Sequence, residues 1–252
     1  MQRTFFHILF AIVCSGSVLA QTAVDEFERG NVFYRDGKYD QAAASYESIL
    51  NQGLASSSLY FNLGNCYYRM GKIAPTILAY ERALRLQPND ADTKHNLALV
   101  NLKTLDRIEP LPELFFIEWL RSFSAVVPLH TTARIFAACW LLLFASLSAF
   151  YLLANPTALR LLRGFAIASA ILLIPLAIVL VTQIVDSRNR SDAVITASVV
   201  TARTSPDAQS VDAFVAHEGL KVKLSDAVGE WMKIVLPDGK VGWVRMQDCE
   251  RI

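Results

Sequence analysis

The chain of 252 residues has few charged side chains for its length. Charged residues make up 19% of the sequence, against about 25% in ordinary soluble domains. The 24 basic and 23 acidic residues nearly cancel, so the basic excess that is typical of nucleic-acid-binding proteins is missing. This low charge, together with a hydrophobic fraction of 53%, excludes an ordinary cytosolic enzyme.

Side chains that carry chemistry are also sparse. The sequence has four cysteines and four histidines, without a CxxC motif or a cluster of both types. It has neither the GxSxG elbow of hydrolases nor a glycine-rich phosphate loop. We therefore predict a protein with no catalytic residues, no metal and no cofactor. If the chain is exported, as residues 1–20 indicate, disulfides can form, and a bridge between Cys66 and Cys249 stays an alternative.

Residues 1–20 have the organisation of an export signal. Arg3 supplies the basic start, a short apolar core follows, and small residues precede Gln21, the expected first residue after cleavage. The alternative is an uncleaved anchor, for which the apolar core is too short to span a bilayer comfortably. A lipoprotein would need a small residue before Cys14, where the sequence has Val13.

Two later segments, 132–154 and 164–185, are apolar over the length of about 20 residues that a transmembrane helix requires. The short connection between them, 155–163, predicts an antiparallel hairpin. The positive-inside rule places its two arginines, Arg160 and Arg163, in the cytoplasm. The chain on both sides of the hairpin then lies in the periplasm, which agrees with the export signal.

Segment 111–128, before the first span, is apolar but contains Glu113, Glu118 and Arg121. Such a segment suits an amphipathic helix that lies in the membrane interface, with Trp119 at the depth of the lipid headgroups. The alternative is a helix that packs against the preceding domain as a cap.

The exported N-terminal part, 21–108, is similar to itself at an offset of 34 residues. The residues that recur are Phe27 and Phe61, Gly30 and Gly64, Asn31 and Asn65, Tyr34 and Tyr68, Arg35 and Arg69, and Tyr46 and Tyr80. This pattern resembles the tetratricopeptide repeat, a helix-turn-helix unit that stacks into an all-α solenoid. We predict repeats at 23–56 and 57–90 and a capping helix at 91–105. Since about three repeats are needed for stability, we expect the array to lean on the membrane-proximal segment or on a partner.

The resemblance implies a concave surface that grips extended peptides. On it, asparagine side chains could bond both the N–H and the C=O of a peptide backbone, and a row of basic side chains suits an acidic segment or a carboxylate. The alternative is structural, because basic residues near helix C-termini complement the helix dipole. Carried over from the family, the candidate peptide-binding residues are Phe27, Asn31, Tyr34, Arg35, Phe61, Asn65, Tyr68, Arg69, His95, Leu99 and Lys103.

From residue 192 on, short alternating runs rich in Val and Thr predict a small all-β domain, 192–252. The expected strands are 193–195, 199–202, 220–224, 231–235 and 241–244. The pieces VVTARTSPD, HEGLKVKL and EWMKIVLPDGKVGWV, in this order, resemble the bacterial SH3 domain. Members of that family fold as a small SH3-like barrel and bind peptides or cell-wall material.

The same resemblance implies ligand contacts through aromatic and loop residues, here Arg203, Thr204, Pro206 and Trp231. A Trp in so small a barrel is at least as often part of the core as of a contact surface. We predict Trp243 in the core, and both alternatives stay open for Trp231.

A tetratricopeptide domain, a two-helix transmembrane hairpin and a terminal bacterial SH3 domain, in this order, resemble the BatE-type proteins of the bacterial aerotolerance (Bat) system. The resemblance implies a two-pass, non-catalytic scaffold of the inner membrane in envelope or oxidative stress tolerance. Its partners would be Bat membrane proteins with von Willebrand A domains and a MoxR-type ATPase. One alternative is a cell-envelope sensor whose SH3 domain binds peptidoglycan or cell-wall peptides. Another is an accessory subunit of an envelope enzyme.

Overall fold

The computed structural model describes residues 22–109, 111, 127–152, 155–188 and 191–252. The chain divides into two compact units, one formed by 1–110 together with 191–252 and the other by 111–190. The export signal predicted at 1–20 lies outside the described residues, as does nearly all of the interfacial segment predicted at 111–128.

Helices form the N-terminal part of the first unit. They are α1 at 22–35, α2 Tyr39–Asn51, α3 Ser57–Arg69, α4 Ile73–Leu86 and α5 Ala91–Asn101. The pairs α1/α2 and α3/α4 recur at the offset found in the sequence. Helix α5 is shorter than the predicted 91–105. Its N-cap is Asp90, and it ends at Asn101 because the N–H groups of Lys103 and Thr104 bond three residues back and close a turn.

Glycine allows the two helices of each pair to touch. A Cβ atom added to Gly30 would lie 2.6 Å from Cε1 of Tyr46, and one added to Gly64 would lie 2.6 Å from Cε1 of Tyr80. Both tyrosines are buried. The same contact between a tyrosine ring and a glycine thus occurs in both helix pairs. A larger residue at either glycine would force the two helices apart.

The rest of the first unit is a seven-stranded antiparallel sheet, which we call the β domain. Its strands are β1 Asp192–Ile195, β2 Val199–Arg203, β3 Asp212–His217, β4 Lys221–Val228, β5 Trp231–Val235, β6 Val241–Arg245 and β7 Cys249–Arg251. Their order in the sheet is β3-β2-β6-β5-β4-β1-β7. Buried side chains from every strand meet in one core, so the sheet curves around it. A short 3₁₀ helix, Met246–Asp248, connects β6 and β7.

The sequence predicts five of these strands and misses β3 and β7. Strand β3 begins at Asp212, ends at His217 and has few β-branched residues, and β7 has only three residues, so neither shows the usual strand pattern. Strand β4 runs beyond the predicted 220–224 because a register shift between Leu224 and Asp226 lets it continue its pairing with β5. Trp243 is buried, as predicted.

The second unit consists of α6 Leu129–Leu152 and α7 Pro156–Arg188, which pack against each other. Both helices are long and apolar enough to cross a membrane, by length and composition. Many of their large apolar side chains are exposed, among them Leu141 on α6 and Phe165 on α7.

Most of the segment predicted as a loop, 155–163, belongs to α7. Asn155 caps this helix, because its Oδ1 accepts a hydrogen bond from the N–H of Thr157 at 2.9 Å. Pro156 has no N–H that would be left unpaired in the first turn. Arg160 and Arg163 therefore lie in the first turns of α7.

The helices and the β domain of the first unit share an apolar interface. Val194 of β1 is fully buried in a cluster that also contains Ile77 and Tyr80 of α4 and Val100 of α5. Ile252, after β7, packs against the same cluster. The repeat helices thus lean on the β domain, whereas the sequence predicts the membrane-proximal segment or a partner in that role.

Polar contacts surround this interface. Arg82 of α4 donates a hydrogen bond to Glu250 at 2.8 Å and another to the carbonyl oxygen of Arg251 at 2.7 Å. Asp106, after α5, accepts a hydrogen bond from the backbone N–H of His217 at 2.6 Å, and its other carboxylate oxygen lies 2.8 Å from Nδ1 of the same residue. The β domain is therefore attached to α4 and to the segment after α5.

Candidate peptide-binding groove

One face of the repeat helices carries two adjoining pockets, with volumes of about 170 and 200 Å³. Tyr34 and Asn65 line both pockets, so the two form one continuous depression, which we call the groove. The lining residues are Asn31, Tyr34, Arg35, Tyr46, Asn62, Asn65, Tyr68, Arg69, Tyr80, Asn96 and Leu99. The groove therefore runs across α1, α3 and α5 and has tyrosines of α2 and α4 in its lining.

Seven of the eleven candidate residues line the groove. They are Asn31, Tyr34, Arg35, Asn65, Tyr68, Arg69 and Leu99. Lys103 adjoins it, since its Nζ lies 4.1 Å from the ring centre of Tyr68. Phe27 and Phe61 are instead half-buried and pack on the rings of Tyr46 and Tyr80, with ring centres 5.6 and 6.0 Å apart. His95 is exposed on α5 and lines neither pocket.

The amide of Asn31 is held by two hydrogen bonds. Its Oδ1 accepts one from the hydroxyl of Tyr46 at 2.8 Å and one from Nδ2 of Asn62 at 3.2 Å. A carbonyl oxygen has two lone pairs, so Oδ1 is saturated and only Nδ2 remains for a ligand. The expectation that this residue bonds both the N–H and the C=O of a peptide is therefore corrected, because its side chain is left as a donor.

The same arrangement recurs in the next repeat. Oδ1 of Asn65 accepts hydrogen bonds from the hydroxyl of Tyr80 at 2.6 Å and from Nδ2 of Asn96 at 3.1 Å. The four residues that orient the two amides are not among the predicted groove residues. Their signal is present, because Asn62 recurs at 96 and Tyr46 at 80, at the same offset as the groove residues.

Burial keeps the two orienting hydroxyls protonated. It raises the pKa of Tyr46 to about 12, and it raises the pKa of Tyr80 well above the ordinary value. A protonated phenol donates to Oδ1, and this fixes which end of each asparagine amide remains for a ligand. The groove thus presents oriented N–H donors near neutral pH.

Basic side chains border the groove. Arg69 donates a hydrogen bond from Nε to the hydroxyl of Tyr39 at 3.1 Å, and its guanidinium lies 5.3 Å from the centre of that ring. The hydrogen bond to Tyr39 raises the pKa of Arg69, so this residue stays charged. With Arg35 in the lining and Lys103 beside Tyr68, and with no acidic residue among the described lining residues, the groove is positively charged.

The candidate residues of the β domain are not gathered in one site. Arg203 donates a hydrogen bond to the carbonyl oxygen of Ser210 at 2.9 Å and pairs with Asp212, so its guanidinium holds the loop between β2 and β3. Thr204 bonds through its backbone N–H to Val211 in the same loop, which also contains Pro206. Trp231 lies on β5, half-buried and opposite Arg245 of β6.

The described cysteines form no disulfide and are buried. Cys66 lies in the core of the repeat helices, and Cys249 lies in the core of the β domain with its Sγ 3.5 Å from Sδ of Met232. The alternative of a disulfide between the two is therefore wrong. Burial raises the pKa of the Cys66 thiol to about 12 and that of the Cys249 thiol to about 11. Within the described ranges, no group of three or more His, Cys, Asp or Glu residues could hold a metal ion.

One family model matches part of the chain. The family model of the tetratricopeptide repeat matches residues 57–90, which contain α3 and α4. A solved structure titled "First TPR of Spaghetti (RPAP3) bound to HSP90 peptide SRMEEVD" is similar at 21% identity, covering 33% of this chain and 93% of that chain, with a TM-score of 0.23. No curated protein matches the chain. A tetratricopeptide repeat is thus detected at 57–90, and repeats of this family suggest a protein–protein interaction scaffold.

Proposed function

We propose that the chain is a non-catalytic scaffold that holds an extended segment of a protein partner in the groove. One observation carries this proposal. Asn31 and Asn65 have the same environment in successive repeats, with Oδ1 saturated and Nδ2 left to donate. Two such donors suit the backbone carbonyl groups of an extended peptide. The proposal treats 23–56 as a second repeat of the same family.

The basic side chains around the groove indicate the kind of segment it would hold. Arg35 and Arg69 belong to successive repeats, and Lys103 adjoins the groove at Tyr68. Charge-assisted hydrogen bonds from such side chains favour carboxylates. We infer that the partner segment carries acidic side chains beside the carbonyl groups that the asparagines bind.

We further propose that α6 and α7 anchor the scaffold in the bacterial inner membrane as a two-pass hairpin. The first unit contains chain from both sides of these helices, 22–109 and 191–252, which supports the proposal that both parts lie on the same side of a membrane. Two crossings satisfy that condition, and the positive-inside rule assigns Arg160 and Arg163 to the cytoplasm. With an export signal at 1–20, the first unit is periplasmic. Alkaline phosphatase fused after Ile252 would be active, and an inactive fusion would contradict this orientation.

The order of the parts supports a more specific assignment. A tetratricopeptide domain, a membrane hairpin and a β domain of the bacterial SH3 type resemble the BatE-type proteins. On this basis we propose that the partners are Bat membrane proteins with von Willebrand A domains and a MoxR-type ATPase, in envelope or oxidative stress tolerance.

Photo-crosslinking tests this function in the full-length protein in cells. Replacing Leu99, which lines the groove, with p-benzoylphenylalanine should give adducts with a partner that has a von Willebrand A domain. The matched control places the same residue at Leu54, which is exposed outside the groove. Adducts that are absent at Leu99, or equally abundant at both positions, would contradict binding in the groove.

A second candidate function is that of an envelope sensor. Trp231 is only half-buried, so part of its side chain is accessible to a ligand of the β domain beside Arg245, whose guanidinium lies 5.8 Å from the ring centre. In this alternative the β domain binds peptidoglycan or cell-wall peptides. Sedimentation of the full-length protein in detergent with purified peptidoglycan, lost on Trp231→Ala, would favour the sensor over the scaffold.

A further inference from the structure

A third pocket lies where the repeat helices meet the β domain. Its volume is about 350 Å³, within the range of about 300–1,000 Å³ that is usual for ligand sites. Helices α2, α3 and α4 form most of the lining, and Thr196 and Glu250 of the β domain complete it. This junction pocket shares no lining residue with the groove, so a ligand there would be a second one.

The floor of the junction pocket is apolar. Leu63 of α3 and Leu78 of α4 are buried, and Leu50 of α2 is half-buried beside them. Tyr67 adds an aromatic ring to the lining. Such a surface favours a ligand with an alkyl stem over a fully hydrated ion.

The rim of the pocket carries an excess of negative charge. Arg82 is engaged by Glu250 at 2.8 Å and by the carbonyl oxygen of Arg251, so its charge is already balanced. Glu47 accepts a hydrogen bond from the neutral hydroxyl of Tyr67, and no ion pair of the described residues includes it. Burial raises the pKa of Tyr67, and its hydrogen bond to the Glu47 carboxylate raises it further.

We propose that the junction pocket binds an arginine side chain that is presented by a protein partner between apolar residues. The alkyl stem lies on the leucine floor, and the guanidinium pairs with the carboxylate of Glu47. Arginine fits better than an apolar residue because the rim offers an uncompensated carboxylate. Since the β domain contributes Thr196 and Glu250, the partner would contact both parts of the first unit.

Peptide binding to the full-length protein in detergent tests this site. The probe is the fluorescein-labelled peptide Gly-Leu-Arg-Leu-Gly-Ser, and its partner probe has citrulline in place of arginine. Citrulline keeps the shape of the side chain and removes its charge. We expect the arginine peptide to bind with an affinity at least about fivefold higher than the citrulline peptide, because only it can pair with Glu47. Equal binding of the two peptides, or no binding of either, would overturn the proposal.

Three variants locate the binding. Glu47→Gln keeps an acceptor for Tyr67 and removes the charge, so it should weaken the arginine peptide about fivefold and leave the citrulline peptide unchanged. Asn51→Trp, at the exposed end of α2, should fill the pocket and weaken both peptides. Glu230→Gln is the matched control at an exposed glutamate between β4 and β5. An unchanged affinity in Glu47→Gln, or an equal loss in Glu230→Gln, would also overturn the proposal, whatever the groove binds.

Discussion

Lys221 of β4 donates a hydrogen bond from its Nζ to the carboxylate of Glu81 on α4 at 2.8 Å, although 140 residues separate them in the chain. Asp192 lies 3.4 Å from the same Nζ. Burial disfavours the charged form of Lys221, but the two carboxylates outweigh it and raise its pKa above the ordinary value. This ion pair therefore joins the repeat helices to the β domain.

The pair should contribute a measurable coupling energy. A double-mutant cycle with Glu81→Gln and Lys221→Met is expected to give about 0.5–1 kcal/mol in the free energy of unfolding of the full-length protein. Because the pKa of Lys221 is raised on folding, its contribution is fully present below the pKa of the unfolded lysine. It is lost as the pH rises through the pKa of the folded form.

Chemical denaturation at neutral pH measures the coupling, and a pH series that continues above the unperturbed lysine pKa of about 10.4 measures its loss. The control cycle combines Glu81→Gln with Lys240→Met, since Lys240 pairs with Asp238 in a turn of the β domain. That cycle should give no coupling. Equal coupling energies in the two cycles would contradict a specific ion pair between Glu81 and Lys221.

Gly219 is the position where a single methyl group should loosen the interface. Its φ is +85°, and an added Cβ would lie 2.9 Å from Cδ1 of Ile77 and 3.0 Å from Cγ2 of Thr104. Gly219→Ala is therefore expected to lower the free energy of unfolding by about 2–4 kcal/mol, from backbone strain and from overlap with these side chains. Thermal and chemical unfolding of the full-length protein measure the loss.

Gly229→Ala is a matched control for this substitution. Gly229 also has a positive φ, of +58°, but an added Cβ would meet no atom within 4 Å. Its substitution should cost only the backbone strain, on the order of 1 kcal/mol. If both variants lost the same stability, Gly219 would not pack against α4.

The hydroxyl of Tyr80 is expected to support both stability and the groove. Tyr80→Phe removes the donor that lies 2.6 Å from Oδ1 of Asn65 and should cost about 1 kcal/mol of unfolding free energy. It should also weaken partner binding, because the amide of Asn65 then keeps only the hydrogen bond from Asn96 and is less firmly oriented. Denaturation curves and partner co-purification measure the two effects. Tyr60→Phe, outside the groove in the lining of the junction pocket, is the control for stability, and an equal loss of unfolding free energy in this variant would contradict the role of Tyr80.

Thiol chemistry tests the two cores separately. Since burial raises the pKa of Cys66 to about 12 and that of Cys249 to about 11, both stay protonated at pH 9. The thiolate is the reactive form, so iodoacetamide should leave both unmodified at pH 7 and at pH 9 in the native protein. Both should react fully after unfolding in guanidinium chloride. Mass spectrometry of each cysteine peptide measures the extent of its alkylation. Rapid modification of either cysteine in the native protein would contradict its burial.

The repeat helices were open to prediction because their signal is local. The offset that aligns Gly30 with Gly64 also aligns the tyrosines that pack on them, so the sequence contains both sides of each contact. Most of the groove follows from the same alignment. Asn62 and Asn96 recur at the same offset, but they were not among the predicted residues because they orient another side chain rather than carry a predicted ligand contact.

The interface with the β domain has no comparable signal. Val194 follows the pattern of an ordinary strand, and nothing local shows that it packs on α4, from which α6 and α7 separate it in the sequence. In the sequence, Glu81 and Arg82 are typical exposed charges of a helix. In the structure, Lys221 and Glu250 of the β domain lie beside them and form hydrogen bonds with them. Contacts between residues so distant in sequence depend on how the modules dock.

The beginning of α7 has a local signal in the sequence. Asn155 followed by a proline is a typical helix start, because the asparagine caps the first turn and the proline lacks an N–H. The charged residues Arg160 and Arg163 favoured a loop only because a membrane span was expected to begin after them.

Quantitative co-purification tests the scaffold and its groove most directly. The full-length protein is isolated from cells in detergent as wild type and as the double variant Asn65→Ala with Arg69→Ala, which removes one oriented donor and one basic side chain of the groove. The control is Arg29→Ala with Gln41→Ala, at exposed positions outside both pockets. We expect partners with a von Willebrand A domain to be depleted at least about fivefold with the groove variant and retained with the control. Equal recovery of these partners with all three proteins would contradict the groove as the binding site.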